Sequence, residues 1–175
     1  MEQQEIGIEF LKALNRYFTP VAVGVVLCAM LFANLPPAVF AASMAMMIGS
    51  ILFNTVSAVY VVDHPSSWRR VGYLRVGVNF AFNAITYVLL HQYWPVVWVL
   101  FALGPIAMAF YGDVSETFLV LAGVAAVMMG CLAFERHHDA RIWGERGLEL
   151  FFILLISLFL IRVAQLIRRE RERKR

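Results

Sequence analysis

The chain has 175 residues, of which 61% are hydrophobic and 15% are charged, and its mean hydropathy is +0.72. A soluble domain is nearer half apolar and a quarter charged, so the composition excludes an ordinary soluble protein. The net charge of +3 comes largely from the C-terminal tail, which favours a membrane surface over nucleic acid. Apolar runs of about 16 to 25 residues between short charged stretches predict an all-α polytopic protein with six transmembrane helices.

The N-terminal region, residues 1–18, predicts a short amphipathic helix at the membrane interface, because its apolar and charged side chains fall largely on opposite sides. A simple helical extension of the first span is the alternative. The first span covers about residues 19–35. Pro36 and Pro37 end it, since proline cannot continue a helix and biases the residue before it toward extended geometry.

The later spans follow after short loops, and the last passes directly into a basic tail. We predict them over about residues 38–62, 71–90, 95–111, 117–134 and 148–167. A kink is expected at Gly104 and Pro105. The arginine and glutamate pattern of residues 168–175 predicts a continuous helix that leaves the membrane. Small residues four apart predict edges for close helix contact: Ala41, Ala45 and Gly49 in the second span, and Ala122, Ala126 and Gly130 in the fifth.

The distribution of basic residues predicts the orientation. With the N-terminus inside, twelve of the fifteen lysines and arginines lie on the inner side and three lie outside. This asymmetry follows the positive-inside rule and predicts that both termini are cytoplasmic. The predicted organisation is an interfacial helix (1–18), a six-helix transmembrane domain (19–167) and a basic cytoplasmic exit helix (168–175).

Polar side chains share one face of the third span, and a second polar stripe follows the second span. The third span carries Asn79, Asn83 and Thr86, with Tyr87 at the edge, and the second carries Ser43, Ser50, Asn54 and Ser57. Amides in hydrocarbon need partners. The stripes therefore predict either polar contacts between helices or a small pocket for a mostly apolar ligand.

If there is a pocket, three aromatic residues are expected at its outer mouth, because spacing of i, i+4 and i+7 puts them on one helix face. They are Trp94, Trp98 and Phe101. An aromatic belt at the interface is the alternative for these residues. The candidate ligand-binding residues are Asn54, Asn79, Asn83, Thr86, Tyr87, Trp94, Trp98 and Phe101.

Catalytic, cofactor and metal chemistry find little support in the sequence. It has no phosphate loop, no HExxH and no nucleophile elbow, and no span has an acidic residue near its middle. We expect no enzyme activity and no cofactor. The outer loop holds Glu135, His137, His138 and Asp139, with His91 at the same membrane face, but adjacent histidines point apart and no third ligand has suitable spacing. We therefore expect solvated residues there, and buried thiols at Cys28 and Cys131.

Three segments together resemble a known sensor family. They are PSSWRRVGYL (65–74), the outer turn with Trp94 and Trp98, and the run 110–130. They resemble the six-span sensor module of bacterial hybrid histidine kinases that detect α-hydroxyketone autoinducers in quorum sensing. The resemblance covers about residues 55–134, together with the topology and the exit helix. It implies a bacterial inner-membrane location, a lipophilic signal that enters the bundle, and a two-component output.

The same resemblance implies that Trp98 contacts the ligand. Phe101 departs from it, since a small polar residue is expected there. The family's phosphoacceptor histidine and ATP-binding domain are absent from these 175 residues, which implies an input module or a stand-alone relative.

Three functions therefore compete. The first is a sensory receptor module that binds a small lipophilic ligand, contacts membrane lipids, and acts as a homodimer or through a cytoplasmic signalling domain, with no nucleic acid as partner. The second is a small transporter or channel, which the absence of an acidic residue near the middle of any span disfavours. The third is an accessory structural subunit of a membrane complex. The basic exit helix favours the first.

Overall fold

Six α-helices make up most of residues 2–111, 113–134 and 140–173, which are the residues that the computed structural model describes, and these residues contain no strand. The helices are α1 (Glu2–Phe32), α2 (Pro37–Asp63), α3 (Trp68–Leu90), α4 (Val99–Tyr111), α5 (Val114–Phe134) and α6 (Ala140–Arg173). Short 3₁₀ turns precede α3 (Pro65–Ser67) and α4 (Pro95–Trp98).

Prolines set several of the helix boundaries, as the sequence predicts. Pro37 opens α2, where its missing N–H removes no helical hydrogen bond. Before it, Asn34 takes a φ of 46°, a left-handed conformation that asparagine adopts more readily than most residues. Pro65 and Pro95 each open a 3₁₀ turn. The predicted second, third and fourth spans therefore have nearly the boundaries that the sequence indicates.

The helices confirm an all-α polytopic membrane protein. Five are long and apolar enough to cross a bilayer, and the fourth apolar helix, Pro95–Ala109, is shorter. Its helical stretch continues to Tyr111. The four residues of the 3₁₀ turn rise about 2.0 Å each and the thirteen residues of α4 about 1.5 Å each, so the segment is roughly 27 Å long. The hydrocarbon core is about 30 Å thick, so this segment is close to spanning length.

Both terminal helices run without a break through predicted boundaries. α1 is one helix from Glu2 to Phe32, with Pro20 inside it. Residues 2–18 are therefore a helical extension of the first span, and their place at the interface stays a prediction. α6 is one helix from Ala140 to Arg173, which confirms the predicted continuous helix through the start of the basic tail.

Residues 1–100 form a first compact unit. In it α2 packs against both α1 and α3, and α1 packs against α3. Gly49 lies against Phe82 of α3, whose ring carbons would be 3.2 and 3.3 Å from an added Cβ. The predicted small-residue edge is wrong as a contact within the chain at Ala41 and Ala45, which are exposed. Cys28 is also exposed, so the prediction that it is buried is wrong.

Residues 101–175 form a second compact unit, in which α5 packs against α6. Each helix carries buried residues at intervals of three or four: Thr117, Leu121, Val124, Met128 and Leu132 on α5, and Ile153, Ser157, Ile161 and Ala164 on α6. The predicted edge on α5 is wrong as a contact within the chain. Ala122 and Ala126 are exposed, and no atom lies within 4 Å of a Cβ built on Gly130. The larger side chains on the nearly opposite face, about 160° around the helix, are buried instead.

Candidate functional site

The two polar stripes meet at a pair of asparagines. Asn79 Nδ2 donates to Asn54 Oδ1 at 2.9 Å, and Asn54 Nδ2 donates to Asn79 Oδ1 at 3.0 Å. Ser50 Oγ lies 3.3 Å from both Asn79 Oδ1 and Asn54 Nδ2. The sequence predicts that these stripes face each other, and the structure confirms it. Both amides thereby gain the partners that they need in hydrocarbon.

Successive turns of α3 bond to three different partners. Arg75 Nη2 donates to Asn15 Oδ1 of α1 at 3.4 Å. Asn79, one turn on, bonds to α2 as described above. Asn83, a further turn on, donates through Nδ2 to the backbone carbonyl of Leu100 at 2.9 Å. Side chains four apart lie on one helix face, so one polar face of α3 links α1, α2 and the start of α4.

Arg75 is the group of this face that the sequence analysis missed. It lies within α3, and only 5% of it is exposed. Asn15 was also missed, and its Oδ1 accepts a second bond from Thr19 Oγ1 at 3.2 Å. The spacing in the sequence could have indicated both residues, because Arg75 precedes Asn79 by one helical turn and Asn15 precedes Thr19 by one turn.

The serines of α2 differ in their bonding. Ser57 Oγ donates to the backbone carbonyl of Asn54 at 3.1 Å. Ser43 is fully buried, and within the described part of the chain its hydroxyl has no hydrogen-bond partner. The predicted polar stripe is thus bonded across to α3 in its middle, at Ser50 and Asn54, but Ser57 bonds within its own helix.

The outer part of α3 buries its polar residues. Thr86 is 5% exposed and Tyr87 is fully buried. Tyr87 stacks on His91, with ring centroids 5.2 Å apart. His91 Nδ1 lies 3.0 Å from the Tyr87 carbonyl and 3.1 Å from the Val88 carbonyl, so Nδ1 carries the proton. These are carbonyls of the last helical turn, and His91 therefore caps α3.

The aromatic face predicted for Trp94, Trp98 and Phe101 is wrong at its first member. Trp94 precedes the helix with φ −137° and ψ 88°, because the residue before a proline avoids helical geometry. Helical spacing therefore does not apply to it. Trp94 and Trp98 are half-buried in the first unit, while Phe101 belongs to the second unit and is 1% exposed.

An ion pair near the start of α6 was also not predicted. Arg146 Nη1 lies 2.8 and 3.0 Å from the two carboxylate oxygens of Glu149. The two side chains are 11% and 14% exposed. The last span is predicted to begin at about residue 148, but α6 begins at Ala140 and carries both residues on its first turns.

The described residues contain no group of three histidine, cysteine, aspartate or glutamate side chains able to hold a metal ion. Glu135, His137, His138 and Asp139 lie outside the described residues. Comparisons with protein-family models, with curated proteins and with solved structures found no match. The sensor family of the resemblance therefore stays a prediction.

Three of the eight candidate ligand residues (Thr86, Tyr87 and Phe101) are buried, and the other five divide into two groups. Asn54, Asn79 and Asn83 use their amides in contacts within the chain. Trp94 and Trp98 keep part of their surface accessible. A small apolar ligand would meet the two indole rings without breaking a buried hydrogen bond, whereas it would have to displace a partner to reach the amides.

Proposed function

We propose that this chain is a membrane-embedded sensory module that binds a small lipophilic signal near Trp94 and Trp98 and relays it through α6 to a cytoplasmic output. The observation that carries the proposal is the continuity of α6 from Ala140 to Arg173. Its 34 residues extend about 51 Å at 1.5 Å per residue. This exceeds a hydrocarbon core of about 30 Å by roughly 20 Å.

A helix of this length suits signal relay because it is mechanically continuous. A shift or rotation imposed within the bilayer reaches the emerging end without a flexible joint. The bacterial inner membrane, with both termini in the cytoplasm, is the location that the resemblance and the basic residues favour.

The relay can be tested by changing the rotational phase of the output domain relative to α6. A reporter kinase domain is fused after Arg175, and residues are inserted after Ile167. Two alanines rotate the output by about 200°, while seven rotate it by about 700°, which is 20° from the original phase. The probe is a straight-chain α-hydroxyketone of about ten carbons.

We expect the seven-residue insertion to keep the response to the probe and the two-residue insertion to abolish or invert it. Equal responses from both insertions would contradict a relay through α6. Binding is measured separately, by quenching of tryptophan fluorescence in the unfused chain. We expect Trp98→Ala to weaken that binding and Trp143→Ala, on α6, to leave it unchanged.

A second candidate function is an accessory structural subunit. It is favoured by the Asn54–Asn79 pair, because amides that bond to each other within the chain act as contacts between helices. If the paired variant Asn54→Leu with Asn79→Leu folds and still responds to the probe, the amides serve packing alone. Solute uptake by the purified chain in liposomes would instead favour a transporter.

A further inference from the structure

Arginines and tyrosines, all exposed except the half-buried Tyr73, gather at one end of the first unit, and we infer that this end binds the headgroups of anionic phospholipids. We call it the basic aromatic rim and define it by Arg16, Tyr17, Tyr60, Arg69, Arg70 and Tyr73. The inference concerns a lipid surface and does not rest on the proposed relay.

Contacts between the helices place these residues at one end. The Arg75–Asn15 bond fixes the level of α1 against α3, and the Asn79–Asn54 pair fixes the level of α2 against α3. Arg69 precedes Arg75 by six residues. At about 1.5 Å per residue, Arg69 lies about 9 Å beyond the Arg75 level, toward the start of α3.

The other rim residues follow from the same register. Arg16 directly follows Asn15 on α1 and therefore lies within about 2 Å of the Arg75 level, roughly 9 Å short of Arg69. Tyr60 follows Asn54 by six residues on α2, which runs antiparallel to α3. Tyr60 is therefore displaced by about 9 Å from the Asn79 level in the same direction as Arg69, which places it about 3 Å beyond the Arg75 level.

Two of the arginines lie against neighbouring tyrosine rings. Arg69 Cζ is 5.8 Å from the centroid of the Tyr73 ring, and its Nη2 is 3.4 Å from Tyr73 Oη. Arg16 Cζ is likewise 5.8 Å from the Tyr17 ring, which belongs to a 63% exposed residue. Tyrosine favours the headgroup level of a bilayer, with its ring toward the apolar side. A guanidinium on such a ring is held at that level, where it can donate two hydrogen bonds to one phosphate.

The charge at this end complements an anionic lipid. Among the described side chains of residues 12–19 and 57–76, Lys12, Arg16, Arg69 and Arg70 are exposed and basic. Asp63 is the exposed acidic residue of the same set. The exposed charge is therefore four positive against one negative. A basic residue near an anionic membrane surface contributes about 1 kcal/mol, which is about a fivefold gain in affinity.

Native mass spectrometry of the detergent-purified full chain tests this inference, with dioleoylphosphatidylglycerol and dioleoylphosphatidylcholine as probes. We expect preferential binding of phosphatidylglycerol. Replacing three rim arginines (R16Q, R69Q and R70Q together) should lower its affinity on the order of a hundredfold. Equal affinity of the wild type for the two lipids, or an unchanged affinity in the triple variant, would overturn the inference.

Two control variants separate lipid binding from general charge and from misfolding. R141Q removes an exposed arginine of α6 and should leave phosphatidylglycerol binding unchanged. The charge-preserving triple variant (R16K, R69K and R70K) should stay within a few-fold of the wild type. A loss in R141Q as large as in the triple glutamine variant would overturn the inference.

Two further measurements test lipid binding on the wild type alone. Raising NaCl from 50 to 500 mM should weaken phosphatidylglycerol binding and leave phosphatidylcholine unaffected. Glycerol 3-phosphate, which carries the phosphate without the acyl chains, should not displace the lipid at millimolar concentration. Salt-independent binding, or displacement by glycerol 3-phosphate, would contradict a lipid-specific rim.

Discussion

Asn54 and Asn79 exchange two side-chain hydrogen bonds, at 2.9 and 3.0 Å, between antiparallel helices of the first unit. Each amide is both donor and acceptor for the other, so neither depends on water that a bilayer cannot provide. Removing one partner leaves the other amide unsatisfied, while replacing both removes the requirement. The pair therefore ties α2 to α3 at a fixed register.

A double-mutant cycle should reveal this coupling. We expect Asn54→Leu and Asn79→Leu each to lower the free energy of unfolding. The double variant should lower it by less than the sum of the two single losses. Coupling energies of polar contacts in membrane proteins average about 0.6 kcal/mol and reach about 1.7 kcal/mol. Unfolding in mixed micelles of increasing sodium dodecyl sulfate content, followed by circular dichroism, measures the free energies.

Asn83 provides the control for this cycle, since its amide donates to the Leu100 carbonyl. Asn54→Leu and Asn83→Leu should be additive within about 0.5 kcal/mol. Additivity in the Asn54–Asn79 cycle as well would show that the two amides contribute independently.

Sequence periodicity predicts the polar faces of α2 and α3 and their mutual contact, because residues at intervals of three and four share a helix face. It does not predict which neighbour each polar side chain contacts. Arg75 bonds to Asn15 of α1 and Asn83 to the Leu100 carbonyl. These pairings depend on the arrangement of three helices in space, which the spacing of one helix does not contain.

Local chemistry explains why the aromatic prediction failed. The spacing of Trp94, Trp98 and Phe101 fits a helix, but Pro95 holds Trp94 outside helical geometry. The small-residue edges failed for a different reason. Spacing of four marks a face that allows close contact, yet the four alanines are exposed, and of the two glycines only Gly49 lies against a described neighbour. Which face is buried depends on the other residues of the helix.

The buried guanidinium of Arg75 should contribute to stability. Arg75→Leu removes its donor to Asn15 Oδ1, and a hydrogen bond to a charged group is worth about 1.5 to 3 kcal/mol. We expect a loss of that order in the same micelle unfolding assay. Arg75→Lys should recover only part of it, because lysine lacks the planar fork of donors.

Arg70 is the matched control for Arg75, since it is an exposed arginine on the same helix. Arg70→Gln should leave the unfolding free energy unchanged. An equal loss in both variants would mean that Arg75 acts through net charge and not through its buried contact.

Gly49 should tolerate a side chain poorly because of its contact with Phe82. An added Cβ would lie 3.2 Å from a ring carbon, so Gly49→Val should force the ring to move and cost about 1 to 3 kcal/mol. Phe82→Leu in the Gly49→Val background should recover part of this loss. Gly77→Ala on α3 is the control, since nothing lies within 4 Å of its added Cβ, and it should stabilise the helix by up to about 1 kcal/mol. Destabilisation by both glycine variants would point to backbone flexibility as the cause.

The Arg146–Glu149 ion pair should depend on both partners. With side chains 11% and 14% exposed, Glu149→Gln leaves a largely buried guanidinium without its carboxylate. Breaking a buried pair from one side costs about 3 to 5 kcal/mol, and we expect the low end because some solvent contact remains. The double variant Arg146→Leu with Glu149→Leu should be close to the wild type, since apolar replacement of a whole buried pair is often neutral or stabilising.

Arg141 and Glu145 form the comparison for this pair on the same helix. Their ion pair has a similar N–O distance, 2.9 Å, but the side chains are 82% and 58% exposed. Glu145→Gln should therefore cost only roughly 0.2 to 0.5 kcal/mol. Thermal unfolding in detergent, followed by circular dichroism, should separate the two single variants clearly. If Glu149→Gln and Glu145→Gln lower stability equally, burial does not distinguish the pairs, and Arg146 lies in a more solvated site than its exposure indicates.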